Sequence, residues 1–551
     1  MITTLEKADP RLLRITAILK LWSLPVYLGV LLALCAMEIA AGALPTRIYG
    51  HDFFILLDGA WRIACGQVPN VDFYAGYGVL VLNPIRWALG LLHYDVNAIG
   101  LARAFYTAVI GLWFLWLSGM KQRRVQSTIL GIFILVFISA ARPLGEYPTW
   151  LSHAMFYNRL GYALLFLIMF EQLGPFLYGT AGHALSYQAR SRLHFWAGVS
   201  TGAALACTIL TKISFVAPAM VLLSLGLLIF GIHRRHMIGM LAGGFGVLLI
   251  AMALLHFRPL AFLHETMTLG HQRGRIGGDA VNTLVDEIGQ ELFALAAGLA
   301  VAFTGCLSRR MASRYMLATV VIVLCDIFCR ATNAMRGSLP LAAFWGLCGA
   351  LLLLSCHAAA ESRTAKQQRL IALLVLGPLA VQMFLMDLSS SLYAAYETVA
   401  VRQHPAIRLD SPRLSGWVPQ DWHGEDPNFL NANGAMLILR TNDGIHLLQS
   451  LSSQNETIAT IAFSNPFSFA LDRRPPEGGA LWLDLDNNIS VAHPVPENTV
   501  IGHPDLLMVE HSGDREGSVT RAVLALYPDL LSNEFAYVGS SKFWTLYRRK
   551  P

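Results

Sequence analysis

The sequence predicts a mostly α membrane protein: a polytopic helical bundle of about eleven transmembrane helices over residues 1–389, followed by a C-terminal α/β extracytoplasmic domain over residues 390–551. Three observations predict it. Of 551 residues, 55% are hydrophobic and only 14% charged, against roughly 25% charged in a soluble domain. Long apolar runs fill 21–388 and then stop. Basic residues recur in every second loop between the runs, the asymmetry that orients helices in a membrane.

A run of about 20 apolar residues crosses the hydrocarbon core as a helix. Such spans read at 21–44, 97–118, 127–142, 160–178, 195–211, 213–231, 237–256, 291–307, 315–330, 337–356 and 370–388. The first run ends in the small residues Ala40, Ala41 and Ala43, as a cleavable leader can. It is too long for a leader's apolar core and more spans follow, so it reads as a retained anchor. Residues 79–94 offer a twelfth span. That choice would move Lys121, Arg123 and Arg124 to the opposite side from every later basic loop, and the segment contains Pro84 and Arg86. It reads instead as a helix lying at the interface, with Trp87 and Tyr94 at headgroup level.

Residues 1–389 carry 29 Lys and Arg against 17 Asp and Glu, whereas 390–551 carry 12 against 18. The positive charge sits in short loops, which is no nucleic-acid pattern and implies no nucleic-acid partner. Lys7 to Lys20, Lys121 to Arg124, Arg190 and Arg192, Arg234 and Arg235, Arg309 to Arg314 and Arg363 to Arg369 all fall on one side. That side is expected to be the cytoplasm. The expected location is the cell inner membrane, with the N-terminus cytoplasmic and the C-terminal domain periplasmic.

Seven of the eight Cys lie in apolar spans, only Cys65 in a loop and none in the C-terminal domain, so no disulfide framework is expected there. Cys325 and Cys329 share a helix face but lack further ligands for a metal. Gly198 with Gly202 and Gly239 with Gly243 allow close helix packing. After residue 390 short runs alternate: strands are expected at Ala435–Arg440, Thr457–Phe463, Ala480–Leu485 and Asp505–Glu510, helices at His446–Ser450 and Thr520–Tyr527. No phosphate-binding loop appears, which argues against an ATP-driven pump.

The outer loops are the longer ones, and the first, 45–96, is the richest in polar groups. It contains His51-Asp52-Phe53-Phe54, then Asp58-Gly59-Ala60-Trp61-Arg62, then Gly66-Gln67-Val68-Pro69-Asn70-Val71-Asp72-Phe73-Tyr74, then Gly76-Tyr77-Gly78. A carboxylate straight after the first span, at the membrane surface, serves two phases: it can act on a water-soluble hydroxyl while an amphipathic donor stays in lipid. Such a group is a general base or a holder of a divalent metal. His51 and His153 are possible ligands by type, but no ligand spacing ties them together.

An Asp after the first helix, an amphipathic helix, the G-x-x-P-x-x-D-F pattern and a Gly/Tyr-rich turn together resemble the first periplasmic loop of GT-C glycosyltransferases, and are similar to bacterial relatives of glycosyltransferase family 39. Tyr157-Asn158-Arg159-Leu160-Gly161-Tyr162, Leu210-Thr211-Lys212 and Thr332-Asn333-Ala334-Met335-Arg336, each at an outer helix end, are similar to that group as well. The resemblance implies a bundle with a large first outer loop, interface helices and often a periplasmic C-terminal domain. It implies a polyprenyl-phosphate sugar donor and a membrane glycosyltransferase, a hexosyl or pentosyl transferase, acting on an envelope lipid or polysaccharide acceptor with inversion. Asp52 then corresponds to the first-loop carboxylate, with Glu146 of the second outer loop as the second. Arg159, Lys212 and Arg336 would bind the donor phosphate, and Asp72, Asn158 and Asn333 would bind substrate. Many members carry Asp-Glu where this chain has Asp52-Phe53, so the missing second carboxylate leaves the one cofactor in question, a divalent metal ion, open. Arg273 and Arg275 sit in a Gly-rich loop able to close over a substrate.

The alternative is a transporter or flippase for an envelope lipid or glycan. Its ionisable groups belong at the midplane on broken helices. Of Glu38, Arg103, Glu171, Asp326 and Arg330, only Glu171 lies deep in its span. Asp326 and Arg330, four residues apart, are expected to pair on one helix face.

Overall fold

Helix formation follows the hydropathy pattern closely. The structure, a computed structural model, describes residues 10–43, 46–119, 124–178, 187–231, 233–256, 258–272, 276–333, 337–355, 363–403, 408–418, 434–485, 488–511 and 515–551. The membrane part comprises α1 (Pro10–Ala41), α2 (Gly50–Ala64), α3 (Val79–Leu91), α4 (Ala98–Gly119), α5 (Arg124–Ser139), α6 (Phe156–Tyr178), α7 (Tyr187–Thr211), α8 (Val216–Phe230), α9 (Arg234–Leu254), α10 (Pro259–Gln272), α11 (Ile276–Ala302), α12 (Arg309–Asn333), α13 (Pro340–Ser355) and α14 (Arg363–Gln403). A helix stands at each of the eleven expected spans. Among the described residues, eight helices are long and apolar enough to cross a membrane. Val125–Ser139, Ile288–Ala302 and Pro340–Ser355 are shorter apolar helices at the other three. The chain is a multi-pass membrane protein. Large apolar side chains such as Leu32, Leu112, Leu228, Leu241 and Ile250 are exposed, as a lipid-facing surface requires.

Two devices hold the bundle together. The glycine stripes bring α7 and α9 into backbone contact: a Cβ on Gly198 would lie 2.0 Å from the His236 carbonyl oxygen, and one on Gly243 2.0 Å from that of Val199. Buried charges are paired across helices. Arg103 Nε approaches Glu38 Oε1 at 3.6 Å, joining α4 to α1. Asp387 of α14 binds Arg142 at 2.9 Å and Arg159 at 3.0 Å. The expected Asp326–Arg330 pair does not form. Arg330 pairs with Glu291 of α11. The Asp326 carboxylate accepts from the backbone N–H groups of Leu341 (3.1 Å) and Ala342 (2.7 Å). Those are the first-turn donors of α13, which carry partial positive charge and no partner within their own helix.

The long first outer segment folds into α2 and α3. Helix α3 exposes Trp87 and Leu91 and buries Val81, Leu82, Ile85 and Leu89, as an interface helix does. Helix α2 is buried on nearly every side, from Gly50 to Arg62, because the bundle lies against one face and the C-terminal domain against the other.

The C-terminal domain corrects several sequence readings. Ala435–Arg440 is not a strand: it opens α15 (Gly434–Leu451), and its Ala-Met-Leu-Ile-Leu run buries Ile438 against the core while leaving Leu439 exposed. The sheet is built from β1 (Ile458–Ile461), β2 (Leu506–Glu510), β3 (Phe535–Ser540) and β4 (Trp544–Arg549) in the order β1-β2-β4-β3. β1 is parallel to β2, in register Ile458 with Leu506, and the other pairs are antiparallel. The last two strands were not expected. Short helices α16 (Phe467–Ala470), α17 (Glu497–Ile501), α18 (Arg515–Leu526) and α19 (Leu530–Glu534) complete it. Residues 480–485 form isolated bridges rather than a strand of that sheet, because their backbone groups are divided among Tyr74, Phe463, Ser464 and Val500. Tyr74 N–H donates to the Gly479 carbonyl (2.9 Å) and Leu481 N–H to the Tyr74 carbonyl (3.1 Å).

This seam is extensive. Arg62 of α2 donates to Asp58 (2.9 Å) and to the carbonyls of Gly478 (2.8 Å) and Pro476 (3.1 Å). Gln67 donates to the Pro476 carbonyl and Trp61 Nε1 to that of Arg473. Trp417, fully buried, stacks on Phe53 at 4.6 Å and donates to Thr46 Oγ1. Replacing Arg62 by Met would leave the Asp58 carboxylate buried without its countercharge, a loss worth about 3–5 kcal/mol. A clear drop in the melting temperature of detergent-solubilised R62M is expected; an unchanged melting temperature contradicts this view of the seam.

Candidate functional site: the corner between the first outer segment and the bundle

After α1 ends at Ala41, the chain turns through Tyr49, whose backbone adopts a left-handed conformation (φ 53°, ψ 44°) directly before α2. Non-glycine residues seldom occupy that region, and it costs of order 1–3 kcal/mol where they do. The turn sets Asp52 in the first turn of α2, where the helix N-terminus favours a negative charge. Asp52 Oδ1 lies 3.0 Å from His51 Nε2, and both side chains are mostly buried, 16% and 10% exposed. The His51 ring rests edge-on against Phe463 of the C-terminal domain, with centroids 4.0 Å apart. Tyr49 OH donates to Glu146 Oε1 at 3.1 Å. Glu146 therefore joins this corner through Tyr49, and its backbone carbonyl accepts from Arg142.

The expected phosphate-binding cations divide. Arg159 is fully buried and its guanidinium is spent on Asp387 (3.0 Å) and the carbonyls of Arg142 (3.0 Å) and Phe137 (2.7 Å). It braces α5, α6 and α14. Lys212, between α7 and α8, is half-buried; its Nζ lies 3.3 Å from Asn158 Oδ1 and 4.8 Å above the Tyr157 ring. Arg336, with Arg273 and Arg275, lies outside the described residues. Of the expected substrate-binding groups, Asn158 stands beside Lys212. Asn333 accepts from Ser214 Oγ (3.0 Å) and donates to the Cys329 carbonyl (2.7 Å). The Asp72 carboxylate accepts from Val68 N–H at 2.8 Å and so closes a local turn.

Three aromatic rings and a backbone bridge lead from one polar corner to the other. Tyr157 meets Tyr77 (4.5 Å between centroids), Tyr77 stacks on Trp482 (4.9 Å, 14°), and Trp482 bridges to Ser464, next in sequence to the Phe463 that abuts His51. Gly76 is required here: a Cβ on it would lie 2.1 Å from the Trp482 ring.

Sequence reasoning missed Glu265, on α10. Its Oε1 accepts from Gly76 N–H (2.7 Å), Ala75 N–H (2.9 Å) and Asn70 Nδ2 (2.9 Å), pinning the Gly/Tyr turn. The signal was faint: one acidic residue on the face opposite the exposed Leu260, Leu263 and Met267. Burial raises the Glu265 carboxyl to about 7, and the three donors only partly offset this. Burial pushes His153, whose ring lies 5.2 Å from that of Phe53, down to about 3 and keeps it neutral. Among the described residues no three His, Cys, Asp or Glu side chains stand together as a metal cage. Asp52 faces the His51 imidazole, and within the described corner these two donors fall short of the ligand set a divalent ion takes.

No family model and no curated protein matches the chain. Among solved structures it is similar to ArnT from Cupriavidus metallidurans bound to undecaprenyl phosphate, at 14% identity and a TM-score of 0.44, over 95% of this chain and 97% of that one. The apo form of the same protein gives 15% and 0.39 over the same shares. An Archaeoglobus fulgidus oligosaccharyltransferase, in complex with Zn and sulfate, gives 12% and 0.35 over 93% of this chain and 72% of that one. The order of elements in this chain, a helical bundle whose first long connecting segment packs against a C-terminal domain, is the one expected from the sequence.

Glu265 makes the seam sensitive to pH. Its carboxyl binds a proton more readily folded than unfolded, where it titrates near 4.5. Its contribution to stability is therefore full below about 4.5 and is lost as pH rises through about 7. The melting temperature of the wild type should fall relative to that of Glu265→Gln across that window; parallel curves contradict the assignment.

Proposed function

We propose that the chain is a membrane glycosyltransferase, moving a sugar from a polyprenyl-phosphate donor to an envelope lipid or polysaccharide acceptor on the extracytoplasmic side. The observation that carries this reading is the Asp52 carboxylate. It is mostly buried in the first turn of α2, paired with His51, which abuts Phe463, while the rings of Trp482, Tyr77 and Tyr157 lead from the neighbouring backbone bridge Ser464–Trp482 to Lys212 at the outer end of α7. A hydrophobic, water-restricted corner with a base at one end and a cation at the other suits transfer from a lipid-borne phosphosugar.

In this reading the acceptor hydroxyl gives its proton to Asp52 as its oxygen bonds to C1 of the sugar. The bond from C1 to the phosphate oxygen breaks, and the polyprenyl phosphate leaves with the electron pair. A single displacement inverts the anomeric carbon. The Lys212 ammonium offsets charge growing on the leaving phosphate, and Asn158 holds the ammonium in position. The bound sugar lies along the rings of Trp482, Tyr77 and Tyr157, whose faces suit its C–H surfaces. Basic residues at the ends of α9, α12 and α14 distant from the C-terminal domain, including Arg234, Arg235, Arg309, Arg310 and Lys366, support a cytoplasmic N-terminus and a periplasmic C-terminal domain in the inner membrane.

Asp52→Asn should reduce sugar transfer by about 10²–10⁴-fold, the usual contribution of a positioned base, while leaving the melting temperature unchanged. Transfer at the wild-type rate would remove this mechanism. Lys212→Ala should weaken binding of undecaprenyl phosphate to the purified protein by about tenfold, ~1.4 kcal/mol; unaltered binding would take Lys212 out of the donor site.

A further inference from the structure

A side chain of the C-terminal domain, Phe463, abuts the imidazole that pairs with the proposed base. Asp52 has two aromatic neighbours in sequence, Phe53 and Phe54, both fully buried, so the backbone on its C-terminal side is fixed by core packing. Its carboxylate is oriented instead by His51, at 3.0 Å. An imidazole is a useful partner only if its own ring is held, because a His side chain has two torsions free to turn. Here Tyr49 stands edge-on at 6.5 Å and Phe463 edge-on at 4.0 Å. Tyr49 is itself fixed by its bond to Glu146. Phe463 is fixed by its place in the domain: its carbonyl accepts from Leu483 N–H at 2.9 Å, and it follows directly on β1 and Ala462. Of its two aromatic neighbours, the nearer to the imidazole thus comes from the C-terminal domain.

We propose that His51 is the positioning residue for Asp52, and that Phe463 of the C-terminal domain locks His51 in the rotamer that keeps the carboxylate aimed. His51 holds its Nε2 3.0 Å from the Asp52 carboxylate and takes no part in bond making. The C-terminal domain then acts on the reaction itself, beyond any part in binding acceptor. This rests on Asp52 being the base.

The geometry distinguishes positioning from mere support of the fold. His51→Leu keeps the apolar contact with Phe463 and loses the donor. His51→Gln keeps an N–H donor at the same reach. Phe463→Ala keeps His51 and frees its ring. The variants are expressed in a strain lacking the wild-type chain, and sugar transferred per molecule of protein is read by mass spectrometry of the envelope glycans. Binding of undecaprenyl phosphate is measured on the purified full-length proteins. H51L should lose tenfold or more in transfer while binding changes less than twofold, and H51Q should recover most of the loss. F463A should fall between wild type and H51L. The double variant H51L/F463A should be no slower than H51L, because both changes remove one restraint. Wild-type transfer by H51L, failure of H51Q to recover, or losses that multiply in the double variant would each overturn the proposal. If Asp52→Asn also transfers normally, the glycosyltransferase mechanism has failed; if only Asp52→Asn is inactive and H51L is normal, the positioning role alone has failed.

Discussion

The structure depends on the seam between the first outer segment and the C-terminal domain. Arg62 is its centre, a buried guanidinium shared between the Asp58 carboxylate and two carbonyls of the 476–478 segment. Neither part would be stable alone at this surface. Helix α2 presents apolar residues on both faces, and residues 478–481 present unpaired backbone groups that find partners in Asp72 and Tyr74. Unpaired buried backbone groups are costly, so the two segments complete one another. Trp417 and Trp61 extend the contact with large apolar areas and one hydrogen bond each.

From that seam the functional corner follows. With α2 held between bundle and domain, its first turn is fixed by that packing, and the left-handed Tyr49 sets the direction in which Asp52 leaves the turn. The same domain brings Phe463 to His51 and Trp482 to Tyr77. Glu265, from a helix between two spans, pins the turn that carries Tyr77. Three separate parts of the chain thus converge on a strip that runs from the first carboxylate to Lys212. The buried ion pairs of the bundle, Arg103 with Glu38 and both Arg142 and Arg159 with Asp387, join the spans, and Arg142 also holds the Glu146 carbonyl at the edge of this strip.

Much of this was legible in the sequence, and the remainder was hidden for identifiable reasons. The spans were visible because hydrocarbon imposes length and composition on a helix independently of its neighbours. The glycine stripes of α7 and α9 were visible because their periodicity is local. Asp52, Glu146 and Lys212 were visible as polar groups at span ends. Helix α2 was legible as an amphipathic helix after the first-loop carboxylate, but the burial of its polar face was not, because the groups that cover Asp58 and Arg62 come from residues some 400 positions later. Ala435–Arg440 suits strand or helix equally on a window of six residues, and the helix that continues to Leu451 decided it. Arg159 read as a phosphate ligand because its partner, Asp387, lies in a distant span. Asp326 could not be assigned to the N-terminus of α13 without knowing how α12 and α13 pack. Helix α14 runs on to Gln403 because Arg47 binds Glu397 at 2.9 Å and covers the Tyr393 ring, a contact no local pattern announces.

Sugar transfer at this corner would leave its mark on the envelope itself. Mass spectrometry of the envelope lipids and polysaccharides of a strain lacking the chain should show one glycan short of a single sugar, together with accumulation of a polyprenyl-phosphate sugar. Unchanged glycans and no accumulated lipid-linked sugar would contradict the account.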